Sequence, residues 1–285
     1  MGELSEGVMR SVLGIDAAWT ETQPSGVALV QETASGWRLK AAAISYARFE
    51  ALAGLAPEDA KPRVMMADAN ALLAACRHLS CREPDLIAVD MPLSHNEITG
   101  RRRSDNVVSS AYGAKKCGTH SPNEQRPGPV SKALRSAFEQ HGYALWTKPE
   151  EMAAEKPWPG LVEVYPHPAL IELTAADERL RYKIGKISRY WPDLTPPLRR
   201  EELFAVWAKI VAALERHVEG VEAGLPPLDK NASGLALKSY EDALDAVVCA
   251  WVGICVLEDR ARAFGDEVSA VWVPASLLGL ATPLP

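Results

Sequence analysis

The sequence has no long apolar run, no paired-cysteine metal motif and no glycine-rich phosphate loop. Its longest hydrophobic stretches are too short to span a bilayer, so no membrane span is expected. The opening residues lack a basic segment followed by an apolar one, and no secretory signal is expected there. The five cysteines, Cys76, Cys81, Cys117, Cys249 and Cys255, are odd in number and none stands in a C-x-x-C pair. That argues against a zinc ribbon and reads as reduced thiols, without disulfides, in a cytoplasmic protein. A G-x-x-x-x-G-K-[ST] loop and a G-x-S-x-G elbow are also missing, which argues against P-loop and α/β-hydrolase chemistry. No internal repeat or low-complexity segment is present. The net charge of −6 is the opposite of the basic footprint of a general nucleic-acid coat protein.

What remains is an ordinary globular composition, 47% hydrophobic and 24% charged, over 285 residues. Positive charge is concentrated. Residues 95–135 carry eight Lys or Arg against three acids, and residues 181–200 carry six against Asp193.

Residues 12–16 are apolar without alternation and end in Asp16, the pattern of a strand covered on both faces. Residues 26–31 and 37–44 read as two more strands joined by a polar turn ending in Gly36. Residues 45–64 read as irregular, with Pro57 and Pro62 as breakers, and 66–79 as a helix. Residues 86–89 repeat the first strand in kind and end in Asp90. A long loop-like region then runs to 130, followed by a short helix at 131–140 and a loop at 147–160. Residues 161–165 form a strand containing Glu163, and 168–180 a helix. Residues 182–199 read as a basic loop, 200–218 as an amphipathic helix, and 268–273 as a last strand. A three-strand meander followed by a helix and a parallel strand is α/β, with the ribonuclease H-like order: a mixed sheet flanked by helices. A single domain over 11–276 is expected, with insertions at about 93–160 and 181–235.

Residues 239–256 stand out. Leu244, Val247, Val248, Trp251 and Cys255 recur at helical spacing, and the opposite face is Ala246, Ala250 and Gly253, small rather than polar. A helix with almost no polar face is buried. Ser239 reads as its N-cap and Asp242 as the partner in a capping box. Asp245 lies inside it, and a buried carboxylate needs a partner.

Asp16 and Asp90, at the carboxyl ends of parallel neighbours, would lie roughly 5 Å apart at the edge where open α/β sheets bind ligands. Asp242 and Asp245 share a helix face. Four acids so close need a counter-charge, and hard oxygen ligands in such number suit Mg²⁺ or Mn²⁺. Glu163 is either a further ligand or an outward-facing strand residue, and Asp242 either a ligand or only a cap. Asp16 alone also reads as a turn residue, and Asp245 as half of a structural salt bridge. Arg101, Arg102, Arg103 and His120 are candidates for holding substrate phosphates, or members of a solvated loop.

Gly14-Ile15-Asp16, Ala88-Val89-Asp90-Met91-Pro92, Glu163-Val164-Tyr165-Pro166, Tyr182-Lys183 and Glu241-Asp242-Ala243-Leu244-Asp245-Ala246 resemble the domain-of-unknown-function family 429. That family is itself inferred to consist of ribonuclease H-like nucleases. The Asp-x-x-Asp-Ala start of the last helix also resembles RuvC-type resolvases. The resemblance implies Asp16, Asp90, Asp242 and Asp245 as metal ligands and a nucleic acid or nucleotide as substrate. Lys183, beside Tyr182 in the matching motif, would then stabilise a phosphate oxygen in the transition state. Where the resolvases carry Glu on the fourth strand this chain has Asp90, a shorter arm that would shift the metal.

The expected activity is therefore phosphodiester hydrolysis at a carboxylate-bound divalent metal. An actin-like kinase shares the strand order but needs glycine- and threonine-rich loops where this chain has Ala17-Ala18-Trp19. A non-catalytic binding module on the same fold is the third reading.

Overall fold

A computed structural model describes residues 9–20, 23–57, 67–147, 159–229 and 231–275. Most of the expected N-terminal tail, Pro62, Met66, most of the 147–160 loop and residue 276 lie outside them.

Strands β1 (Ser11–Asp16), β2 (Gly26–Thr33) and β3 (Gly36–Ala43) form an antiparallel meander. Helices α1 (Tyr46–Leu52) and α2 (Ala69–Ser80) lead to β4 (Leu86–Val89). Ser45 and Asp68 cap the two helices by accepting from Arg48 and Ala71 N–H groups. Next come α3 (Arg103–Tyr112), α4 (Gly128–Glu139), β5 (Ala144–Leu145), β6 (Gly160–Val164) and α5 (Pro166–Thr174). A 3₁₀ turn (Ile184–Lys186) runs into α6 (Ile187–Tyr190), then α7 (Pro196–Glu215), β7 (Val218–Glu219) and α8 (Val221–Gly224). Then follow α9 (Gly234–Leu257), β8 (Ala261–Gly265) and β9 (Ala270–Pro274).

The nine strands make one mixed sheet in the order β7-β3-β2-β1-β4-β6-β9-β8, with β5 beside β6. β1, β4, β6 and β9 run parallel, and their carboxyl ends point to one edge. Helices cover both faces. Val12, Ala88 and Val162 face one core with α5, α7 and α9, while Leu13, Ile15, Ile87 and Leu161 face the other with α1, α2 and α4. Adjacent strand residues thus serve opposite cores, which explains the unbroken apolar runs.

Helix α9 lies directly on the sheet, because its small face meets glycines. A Cβ on Gly14 would fall 2.1 Å from the Ala246 carbonyl oxygen, and one on Gly26 would fall 2.0 Å from that of Asp242. Gly253 in turn fits over Val12, where a Cβ would meet Cγ1 at 2.4 Å. On its other flank, Leu244, Val247, Val248 and Trp251 are buried. Each contributes about 1.5–3 kcal/mol by leaving water.

The helix starts earlier than the sequence suggests. Ser233 is the N-cap, accepting from Ala236 N–H at 3.2 Å, so Ser239 is an interior residue and Asp242 lies in the third turn. Asp242 is therefore not a cap, since its neighbours' N–H groups are already bonded within the helix. The expected loop at 45–64 contains α1. The long stretch from 93 contains α3, and the segment at 181–235 contributes α7 and edge strand β7.

Candidate active site

The parallel pairing of β1 with β4 decides the first contact. Ile15 is in register with Val89, and Asp90 N–H donates to the Ile15 carbonyl at 2.8 Å. Asp16 and Asp90 therefore leave neighbouring strands at the same level. Glu163 lies one strand further on, in register with Val89. From above, α9 brings Glu241, Asp242 and Asp245 over the same edge, its close seating set by Gly14 and Gly26.

A cleft of about 970 Å³ opens there. Asp16, Asp90, Asp242, Glu163, Lys183 and His120 line it, and Asp245 lies behind Lys183 without any exposure. One site thus unites most of the residues expected from sequence.

Two lysines supply counter-charge. Lys183 Nζ bonds the Asp245 carboxylate and stands 3.4 Å from Glu241 Oε1. Tyr182 donates its hydroxyl to the other Asp245 oxygen at 2.9 Å, and its carbonyl accepts from Trp207 Nε1 at 2.8 Å. Glu241 also accepts the Ile184 N–H at 2.5 Å, which ties the 3₁₀ turn to α9. Lys238 bonds Asp242 and stands 3.3 Å from Glu241. Lys238 sits three and four residues before its two acids, the spacing that makes helix neighbours meet.

The Asp16 and Asp90 carboxylates accept no hydrogen bond among the described residues. Burial, then repulsion from Asp242 and Asp245, pushes the Asp16 carboxyl well above the usual carboxylate range. Burial likewise raises Asp90 to about 7; Lys183 opposes that rise and Asp245 adds to it. Burial also raises Glu241 and Asp242 against the pull of their lysines. Burial works against the charge on Lys183, but Asp245, Tyr182, Glu241 and Asp16 outweigh it and hold the ammonium firmly protonated. With every group ionised, five carboxylates facing two ammonium groups leave three negative charges in excess.

Glu163 is held differently. Arg102 grips it with a two-pronged fork, at 2.6 and 2.7 Å, and bonds Asp105 at 2.8 Å. Glu163 also accepts Leu93 N–H at 2.7 Å, and Arg102 donates to Leu93 carbonyl at 2.7 Å. The Arg102 side chain is only 7% exposed, so the structure commits it to this staple. Arg101 spends its donors on Asn106, Ser109, Ser121 and the Asp105 and Thr119 carbonyls, bracing α3. Arg103 is exposed at the start of α3 and does not line the cleft.

Among the described residues, no three His, Cys, Asp or Glu side chains are grouped so as to hold a metal ion as they stand. The donor chemistry still suits a hard cation. Asp16 and Asp90 offer unshared carboxylate oxygens, and the lysines on Asp242 and Asp245 hold places a cation would compete for. Sequence reasoning missed Glu241, Lys238 and Tyr182. The i−4 and i−3 spacing of Lys238 to two acids was the available signal.

Among the described residues no helix is long and apolar enough to cross a membrane, and all five cysteines are free. No curated protein and no solved structure matches the chain. The family described as "Protein of unknown function (DUF429)" matches residues 14–270, from the middle of β1 to the start of β9, and the chain belongs to that family.

Proposed function

We propose that the protein is a divalent-metal-dependent phosphodiesterase, a nuclease of ribonuclease H-like fold. The observation that carries this reading is the meeting of Asp16 and Asp90, side by side at the strand ends, with Asp242 and Asp245 of α9 above them. The strand order β3-β2-β1-β4-β6, with only β2 reversed among those five, supports the ribonuclease H-like assignment.

Asp16 and Asp90 would hold Mg²⁺ or Mn²⁺, joined by Asp242 and Asp245 once Lys238 and Lys183 release them. Bound there, the metal would polarise a phosphoryl oxygen and make water a better nucleophile. The other roles belong to the chain. Tyr182 fixes one Asp245 oxygen, so the carboxylate keeps its orientation when the lysine leaves. Lys183, once displaced, would remain at the cleft wall, within the site where it can meet a phosphate oxygen. Glu163 keeps the β4 exit loop in place through Leu93.

The test is calorimetric titration with Mn²⁺, followed by cleavage of single-stranded, duplex and branched substrates. Binding and cleavage are expected for the wild type and loss of both for Asp90→Asn. Wild-type protein that takes up no Mn²⁺, or an Asp90→Asn variant as active as wild type, would sink the reading.

A further inference from the structure

One wall of the cleft carries cations that have no ion-pair partner among the described residues. Nearer the floor, each cation has its acid: Arg102 with Glu163, Lys183 with Asp245, Lys238 with Asp242. Arg179 and Lys186 line the same cleft, and among the described residues neither side chain makes a hydrogen bond or an ion pair. The Arg179 Nε is buried without a partner, while its backbone N–H is fixed to the Lys115 carbonyl at 2.9 Å. Arg126, also without an acidic partner among the described residues, lines the cleft with His120.

These groups repel one another. Burial and then Arg179 lower the Lys186 ammonium, and burial, Lys186, Arg179 and Arg126 lower the His120 imidazole. Holding a half-buried guanidinium unpaired is unfavourable, and its buried N–H adds the cost of an unmade hydrogen bond. An incoming anion removes both penalties.

Aromatic surface stands next to this wall. Trp19, half-buried on the loop after β1, meets the His120 ring edge-on at 6.4 Å and 85°. Both line the cleft that ends at Asp16 and Asp90. A cationic track with an aromatic face beside it is how single strands are held, by phosphate contact and base stacking. At about 970 Å³ the recess matches pockets that engulf one small ligand. It has room for a short unpaired segment.

We propose that Arg179 and Lys186 form a phosphate subsite for single-stranded nucleic acid, with Trp19 stacking the adjoining base. The inference names the substrate of the site assigned above and rests on its reading as a phosphodiesterase.

Fluorescence anisotropy of a labelled single-stranded ten-mer, with the full chain in chelator, tests it. The wild type is expected to bind the strand more tightly than the same sequence as a duplex. Arg179→Gln with Lys186→Gln should weaken binding tenfold or more and reduce the salt slope by about 1.4. Trp19→Ala should weaken it roughly tenfold with the slope kept. The melting temperature of Arg179→Gln should equal or exceed that of wild type, since an unpaired cation has been removed. A strand affinity or salt slope unchanged in the double variant, duplex held as tightly as single strand, or binding of only a nucleoside monophosphate or inorganic phosphate would overturn the proposal. Hydrolysis of bis(p-nitrophenyl) phosphate with Mn²⁺ separates the two readings. Hydrolysis without strand binding overturns the subsite and spares the phosphodiesterase. Strand binding dependent on Arg179 and Lys186, without hydrolysis under any metal, supports the subsite and removes the phosphodiesterase.

Discussion

Asp90 gives its backbone N–H to the Ile15 carbonyl at 2.8 Å, and that bond holds it beside Asp16. The main chain thus fixes the two acids as neighbours, whatever charge their side chains carry. Their repulsion is built in, and it has a measurable consequence.

Asp90 titrates at about 7 in the fold, against an ordinary value of 3.8. A carboxyl raised by folding binds its proton more tightly in the native state. Its contribution to stability is full below about 4 and is lost as pH rises through about 7. Metal-free protein should therefore melt at progressively lower temperature between those limits. Asp90→Asn should flatten that slope, and an unchanged slope in thermal melts across the range would contradict the assignment.

A cation that neutralises the pocket should reverse this loss. Mn²⁺ at about a hundred times its dissociation constant should stabilise the wild type by about 2.7 kcal/mol. Asp16→Asn should not respond. Melting curves with and without Mn²⁺ at neutral pH make the comparison.

Lys183 is the partner of a fully buried Asp245. Replacing it with Met leaves that carboxylate without its cation and should cost about 3 kcal/mol, the lower end for a broken buried pair, because the lysine is 21% exposed. Asp245→Asn in the same chain should restore much of the loss. Urea denaturation of both singles and the double gives the coupling directly.

Gly14→Ala should be costlier than an ordinary overpacking change, since its methyl would meet backbone rather than a side chain. A loss of at least about 3 kcal/mol is expected in urea melts. Mn²⁺ affinity should fall with it, because α9 carries two of the four proposed ligands, Asp242 and Asp245.

Much of this was legible in advance. β1 and β4 announce themselves by apolar runs ending in Asp, and α9 by its small and large faces. The acids at those ends could be placed together from strand order alone. The start of α9 was hidden because Gly234 and exposed Leu235 resemble a loop. Strands β5 and β7 have two residues each, too few for any periodicity to register. Partner choice was equally hidden. The sequence offers Arg101, Arg102 and Arg103 as equals, yet only Arg102 reaches Glu163, a pairing between residues 61 apart that the fold brings together.

That pairing also affects how the site can move. Arg102 is anchored to β6 through Glu163, to α3 through Asp105 and to the β4 exit loop through the Leu93 carbonyl. A wall riveted at three points does not hinge at its base, so the α3 side behaves as a fixed jaw.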